Sequence, residues 1–204
     1  MTKQYWHDNI TDKSYQALLE LRDKFHFILI GGWAVYLWTK KMKSKDIDIV
    51  IDYNELGKLK EKHQVIKNER LKKYEIKLGE FDIDIYLPHY SKIGFPLEKI
   101  SGCAQNIEGF IVPKIEVLLL LKLFAYQDRK NSIKGEKDKI DIISMLDAVD
   151  IDWKFFKKLS QEYKITNLYN EIEEILTKAS KAEELKINNQ QMAKLRKNIL
   201  ENIS

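Results

Sequence analysis

Lys45-Asp46-Ile47-Asp48-Ile49-Val50-Ile51-Asp52 reads as an apolar strand that carries two carboxylates on one of its faces. Side chains alternate along a strand, so Asp46 and Asp48 share one side while Ile47 and Ile49 take the other. Two carboxylates about 7 Å apart along a strand repel unless a positive charge sits between them, and a divalent cation is the usual answer. A second run, Phe81-Asp82-Ile83-Asp84-Ile85-Tyr86-Leu87, repeats the pattern and offers a third carboxylate, from Asp84 or Asp82. Aspartate is depleted in strands, so two such doublets call for an explanation. Together they read as a magnesium site for phosphate chemistry, since magnesium prefers a few carboxylates plus substrate phosphates.

Upstream of the first doublet, an apolar strand over 25–30 ends at Gly31-Gly32 and is followed by helical character over 34–38 and a basic loop over 40–45. Paired glycines where a strand enters a helix let backbone N–H groups approach a phosphate closely. A first helix is expected over 11–23. Downstream, Asp52 with Glu55 resembles a capping box and opens a helix that runs to about His63. Alternating runs over 73–78 and 81–87, with Gly79-Glu80 between them, predict a hairpin. Residues 104–112 predict one more strand or hairpin, turning at Glu108-Gly109.

From Pro113 the pattern becomes helical. A long apolar run reaches Arg129, and helices are expected over 137–148, 152–162, 167–179 and 187–202, with Asp152 as an N-cap. The chain therefore reads as α+β. A mixed β-sheet core with flanking helices occupies 1–112, and a C-terminal helical bundle over 113–204 packs on it to form a cleft.

Within Leu118-Leu119-Leu120-Leu121-Lys122-Leu123-Phe124, an unpaired ammonium would be costly to bury, so Lys122 needs an anion or a route to water. Arg129 lies nearly two helical turns on and projects from the same face. Asp138 and Asp141 share a face at i, i+3. The four histidines show no metal-ligand spacing, and Trp153, Phe155, Phe156, Tyr163 and Tyr169 read as helical core.

Composition narrows the function classes. Hydrophobic residues at 44% and charged ones at 32% describe a globular chain. The strongest apolar run is too short to span a bilayer, so no membrane segment is expected. The single cysteine, Cys103, excludes an internal disulfide and suits a cytoplasmic setting. A net charge of +4, almost all of it lysine, is modest for a nucleic-acid groove.

The order strand, Gly31-Gly32, helix, Asp46-x-Asp48 strand and later acidic strand resembles the DNA-polymerase-β-like nucleotidyltransferases. That resemblance implies Asp46, Asp48 and Asp84 as metal ligands and catalytic groups, Asp84 being preferred to Asp82. It also implies two magnesium ions and an NTP co-substrate bound at Gly31 and Gly32. Members carry Ser or Thr after one of the glycines; here Trp33 follows, and Ser44 is the hydroxyl available for the triphosphate. The later order Lys122, Arg129, Lys137-Asp138-x-x-Asp141 resembles the toxin nucleotidyltransferases of AbiE-type abortive-infection systems. It implies that Lys122 and Arg129 hold the triphosphate and that Asp138, a catalytic group, lies near the acceptor or helps activate it. The acceptor it implies is RNA such as a tRNA, a protein or a small molecule, and a toxin would have an antitoxin partner. The competing reading is a catalytically inactive nucleotide- or nucleic-acid-binding module of the same fold.

Overall fold

The computed structural model describes residues 3–165 and 167–203, with helical side chains from Asn9 on. The chain forms two compact units. One takes the chain up to Leu37 together with Lys43–Lys92 and Pro96–Pro113; the other takes Trp38–Met42, Ile93–Phe95 and the chain from Lys114.

The first unit holds α1 (Lys3–Lys24), β1 (Ile28–Ile30), the start of α2 (Gly31–Thr39), β2 (Ile47–Val50), α3 (Tyr53–Lys62), β3 (Ile66–Asn68), β4 (Lys73–Lys77), β5 (Asp82–Tyr86), β6 (Ala104–Ile107) and β7 (Phe110–Pro113). Five strands make a mixed sheet in the order β1-β2-β5-β4-β3, in which only β2 and β5 run parallel. Register sorts the two faces. Ile47, Ile49, Ile76, Ile83 and Ile85 fall on one side and are buried, whereas Asp48, Asp82, Asp84 and Glu75 fall on the other. β6 and β7 form a separate hairpin, and β7 lies beside β1.

The expected hairpin of β4 and β5 turns at Gly79-Glu80: Leu78 N–H donates to Phe81 O at 3.1 Å, and Gly79 adopts φ +83°. Asp52 caps α3 by accepting from Glu55 N at 2.8 Å. The reciprocal half of the box is diverted, because the Glu55 carboxylate accepts instead from His26 N at 3.2 Å and from Lys58.

The second unit is helical, with α4 (Ile115–Arg129), α5 (Ile133–Ala148), α6 (Trp153–Glu162), α7 (Leu168–Lys178) and α8 (Asn189–Ile203). α4 is apolar around most of its circumference and packs against α5, α6 and α7, as an all-round hydrophobic helix must. Asp152 caps α6 through Phe155 N at 3.0 Å. Phe156, fully buried, meets half-buried Trp153 and Tyr169 edge-on, so of the aromatics expected in the helical core Phe156 is the enclosed one and these two flank it. Arg196 of α8 closes the C-terminal end of α7 by donating to Leu176 O and Ala179 O at 2.8 and 3.0 Å.

Candidate active site

Asp48 of β2 and Asp84 of β5 are direct neighbours across parallel strands, and Glu75 of β4 stands opposite Asp84 on the other side. Three carboxylates thus cross three adjacent strands on one face, and Asp46 lies two residues before Asp48. The N-terminus of α2 closes on the same place. Gly31, at φ +67°, sits so near Asp48 that a Cβ there would fall 2.0 Å from Asp48 Oδ2. A Cβ on Gly32 would fall 2.6 Å from Ser44 Oγ. Both glycines are therefore required by close approach, and Gly31 by its left-handed backbone as well. The fold brings Gly31, Gly32, Ser44, Asp46, Asp48 and Asp84 into one neighbourhood.

Their present partners differ. Asp46 Oδ1 accepts from Asp82 N at 3.2 Å, Ser44 Oγ donates to the Asp46 carbonyl at 3.1 Å, and Tyr86 OH donates to Asp48 Oδ1 at 3.3 Å. Asp84 Oδ2 accepts from Lys73 Nζ at 2.6 Å, and the same ammonium lies 2.9 Å from Glu75 Oε1. Asp84 Oδ1 is buried without a hydrogen-bond partner. A buried carboxylate oxygen left unpaired is costly and marks a place where a cation or a donor would be gained. Among the described residues, no three His, Cys, Asp or Glu side chains converge as a metal cage. Magnesium asks for less than a cage: one or two carboxylates plus substrate phosphates suffice. The unpaired Asp84 oxygen, its neighbour Asp48 and the side-chain-free Gly31 fit that ion.

Lys73 and Glu75 are functional candidates that the sequence reading passed over, because Lys72-Lys73 looks like a solvated pair. The available signal was the alternation Lys73-x-Glu75-x-Lys77, which the turn at Gly79-Glu80 places against Tyr86, Asp84 and Asp82. Burial works to lower the Lys73 ammonium, but the hydrogen bonds and charges of Asp84 and Glu75 outweigh it and raise its pKa. Burial pushes Glu75 up, but the Lys73 ammonium, with donors from Asn68 and Lys77, brings it down to about 2. Asp84 moves the other way: burial raises it, aided by the charges of Glu75 and Asp46, against the pull of Lys73.

These shifts have opposite signs in acid. Glu75, depressed in the folded state, contributes stability that is fully present above the ordinary glutamate value of 4.5 and is lost as pH falls toward about 2. Asp84, raised in the folded state, relieves a strain as it protonates. Chemical denaturation of the wild type and Glu75→Gln should therefore converge in acid. The wild type loses about 3 kcal/mol relative to the variant between about pH 5 and about pH 2. A constant difference across that window would show that Glu75 is not held by Lys73.

Trp33, which stands where the resemblance called for a hydroxyl, turns away from the site. It is fully buried, donates from Nε1 to Ser14 Oγ at 2.9 Å, and packs against Tyr15 and Tyr36.

Lys122, Arg129 and Asp138 belong to the second unit, where they form an ion-pair network with Asp141. Lys122 Nζ lies 2.6 Å from Asp141 Oδ2 and 3.4 Å from Asp138 Oδ1. Arg129 grips Asp138 with two bonds, Nε to Oδ2 at 2.6 Å and Nη2 to Oδ1 at 3.0 Å. A tight turn makes the grip possible. Ser132 caps α5 through Gly135 N at 3.1 Å, and Gly135 passes so close to the end of α4 that a Cβ would fall 2.3 Å from Arg129 O. Asp138 is 1% exposed and Lys122 8%. Burial raises the Asp141 carboxyl against the opposing charge and hydrogen bond of Lys122.

No family model matches the sequence, and neither does any curated protein. Among solved structures, ANT(2")-Ia in complex with adenylyl-2"-tobramycin aligns with a TM-score of 0.51 at 13% identity, over 76% of this chain and 96% of that one. An antigenic nucleotidyltransferase-like protein from Paracoccidioides brasiliensis aligns at 0.49 and 16% identity, over 89% and 94%. JHP933 from Helicobacter pylori aligns at 0.39 and 17%, over 98% and 95%. At such identities the likeness concerns the fold alone: the α+β backbone of this chain is similar to that of ANT(2")-Ia.

Proposed function

We propose that the chain is a magnesium-dependent nucleotidyltransferase, moving an NMP group from an NTP to an acceptor hydroxyl. The observation that carries this reading is the register of Asp48 and Asp84 on parallel strands, with Gly31 against one carboxylate and an unpartnered oxygen on the other. Asp46, Asp48 and Asp84 are the residues assigned to hold two magnesium ions, which supply charge neutralisation on the polyphosphate. The amides of Gly31 and Gly32, at the positive end of α2, are assigned to the phosphates, with Ser44 beside them. Lys73 fixes Asp84 by one oxygen and leaves Oδ1 facing the ions beside the acceptor hydroxyl, whose proton would pass to solvent. The acceptor oxygen then bonds to the α-phosphorus as the bond to pyrophosphate breaks.

The acceptor class stays open among RNA such as a tRNA, a protein and a small molecule. In ANT(2")-Ia the bound compound is an adenylyl group joined to tobramycin, which illustrates the last of these. The resemblance to AbiE-type toxins adds a toxin role in the cytoplasm and an antitoxin partner to the same reading.

Incubation with each α-labelled NTP, magnesium and pooled acceptors should give a labelled product that is lost with EDTA and with Asp46→Ala. No label with any NTP would overturn the assignment. The second reading, an inactive nucleotide-binding module, is favoured by the lack of a three-acid cage among the described residues. It predicts calorimetric NTP binding that is indifferent to EDTA and to Asp46→Ala.

A further inference from the structure

Two short stretches of this chain are strongly basic, the loop over 40–45 and, longer and interleaved with aromatic rings, residues 58–72. Residues 58–72 carry six basic side chains (Lys58, Lys60, Lys62, Lys67, Arg70 and Lys72) against Glu61 and Glu69. That net +4 equals the net charge of the whole chain, so all other residues together sum to zero. The stretch folds as the second half of α3, the edge strand β3 and a turn pinned by Asn68 Oδ1, which accepts from Leu71 N at 3.0 Å.

Two partly exposed tyrosine rings, outside the stretch in sequence, lie against its lysines. Tyr74 and Tyr90 are 5.7 Å apart at 47°. Lys60 Nζ stands 5.1 Å from the centre of the Tyr74 ring, and Lys67 and Lys72 stand 5.2 and 5.6 Å from that of Tyr90. Three donors converge on one exposed anion: Glu69 receives Lys67 Nζ at 2.5 Å, Lys72 Nζ at 3.3 Å and Tyr90 OH at 3.3 Å. The Glu69 carboxylate thus occupies the kind of position a phosphate oxygen takes, between ammonium groups and beside aromatic rings.

We propose that this face, formed by α3, β3 and the Tyr74–Tyr90 pair, binds single-stranded nucleic acid, with a backbone phosphate displacing Glu69 and unstacked bases packing on the tyrosines. Rings interleaved with lysines favour this polyanion over a lipid surface, because base stacking uses the ring faces and an unpaired strand exposes its bases. Leu71, in the turn that carries Lys72, is exposed and available for further apolar contact. β4 sends Tyr74 to the opposite side of the sheet from Lys73 and Glu75, so the surface is distinct from the carboxylate site.

The experiment is fluorescence anisotropy of the full chain with a labelled single-stranded RNA of about 20 nucleotides, without NTP or metal. Its failure is thereby separate from a failure of nucleotidyl transfer. Lys60→Glu/Lys67→Glu/Lys72→Glu should raise Kd at least about tenfold and flatten the dependence of log K on log salt by about two. Glu69→Gln should tighten binding about threefold. An equal charge change on exposed lysines of α6, Lys154→Glu/Lys157→Glu/Lys158→Glu, should alter Kd less than about threefold, with circular dichroism confirming that all variants fold. Equal weakening by the α6 variant would overturn the proposal. So would no binding by the wild type, or binding to vesicles containing phosphatidylserine but not to RNA.

Discussion

Asp48→Asn is expected to abolish labelled-nucleotide transfer, by about a thousandfold or more, while leaving the melting temperature unchanged or slightly higher. The amide keeps an oxygen for Tyr86 OH and matches the carboxylate in shape, so the packing against Gly31 survives. What disappears is the negative charge beside Asp84. In the protein without ligand that charge is a burden, because Asp46, Glu75 and Asp84 crowd the same face and burial already raises Asp84. A stable variant with no transfer and weakened magnesium binding by calorimetry is the signature of a functional carboxylate. A melting temperature that falls by many degrees would assign Asp48 to the scaffold, and undiminished transfer would remove it from the chemistry.

The two aspartate doublets were legible in the sequence, the second because its local rule is strong. Alternation places Asp82 with Asp84, and the short turn at Gly79-Glu80 fixes the neighbouring register; Asp46 falls in the bend just before β2, and its bond to Asp82 N, not strand alternation, keeps it near Asp84. The caps at Asp52 and Asp152 were legible for a similar reason, since each acts within three residues. β3 was not. Ile66-Lys67-Asn68 has no alternation and stays largely exposed at the sheet edge, so only its pairing with β4 makes it a strand. The start of α5 at Ile133 was read late, although Ser132 was the available N-cap signal. Lys73 was missed because its role depends on which face β4 turns toward β5, and that is a property of the sheet. The pairing of Lys122 and Arg129 with Asp138 and Asp141 needs the tight turn through Ser132 and Gly135, which the sequence pattern alone does not show.

Asp138→Ala is expected to destabilise the protein by about 2–4 kcal/mol, lowering the melting temperature by on the order of 10 °C. The side chain is 1% exposed and receives bonds from both Lys122 and Arg129, so its removal leaves a buried ammonium with Asp141 as its remaining carboxylate in the network. Arg129 is 39% exposed and can turn toward water, which keeps the cost below that of a fully sealed pair. Two positive and two negative groups balance here, so a triphosphate would have to compete with Asp138 for Arg129. Arg129→Met/Asp138→Leu removes the bidentate pair together, leaves Lys122 with Asp141 at 2.6 Å, and should recover much of the lost stability, because an apolar pair avoids the desolvation cost of the ions. Thermal melts of both variants, with transfer rates measured well below the transition, separate the two roles. If Asp138 serves the scaffold, the double variant regains stability and the folded protein transfers nucleotide at a rate near that of the wild type. If it serves the acceptor, the double variant regains stability and stays inactive, which would bring Asp138, Arg129 or both into the chemistry.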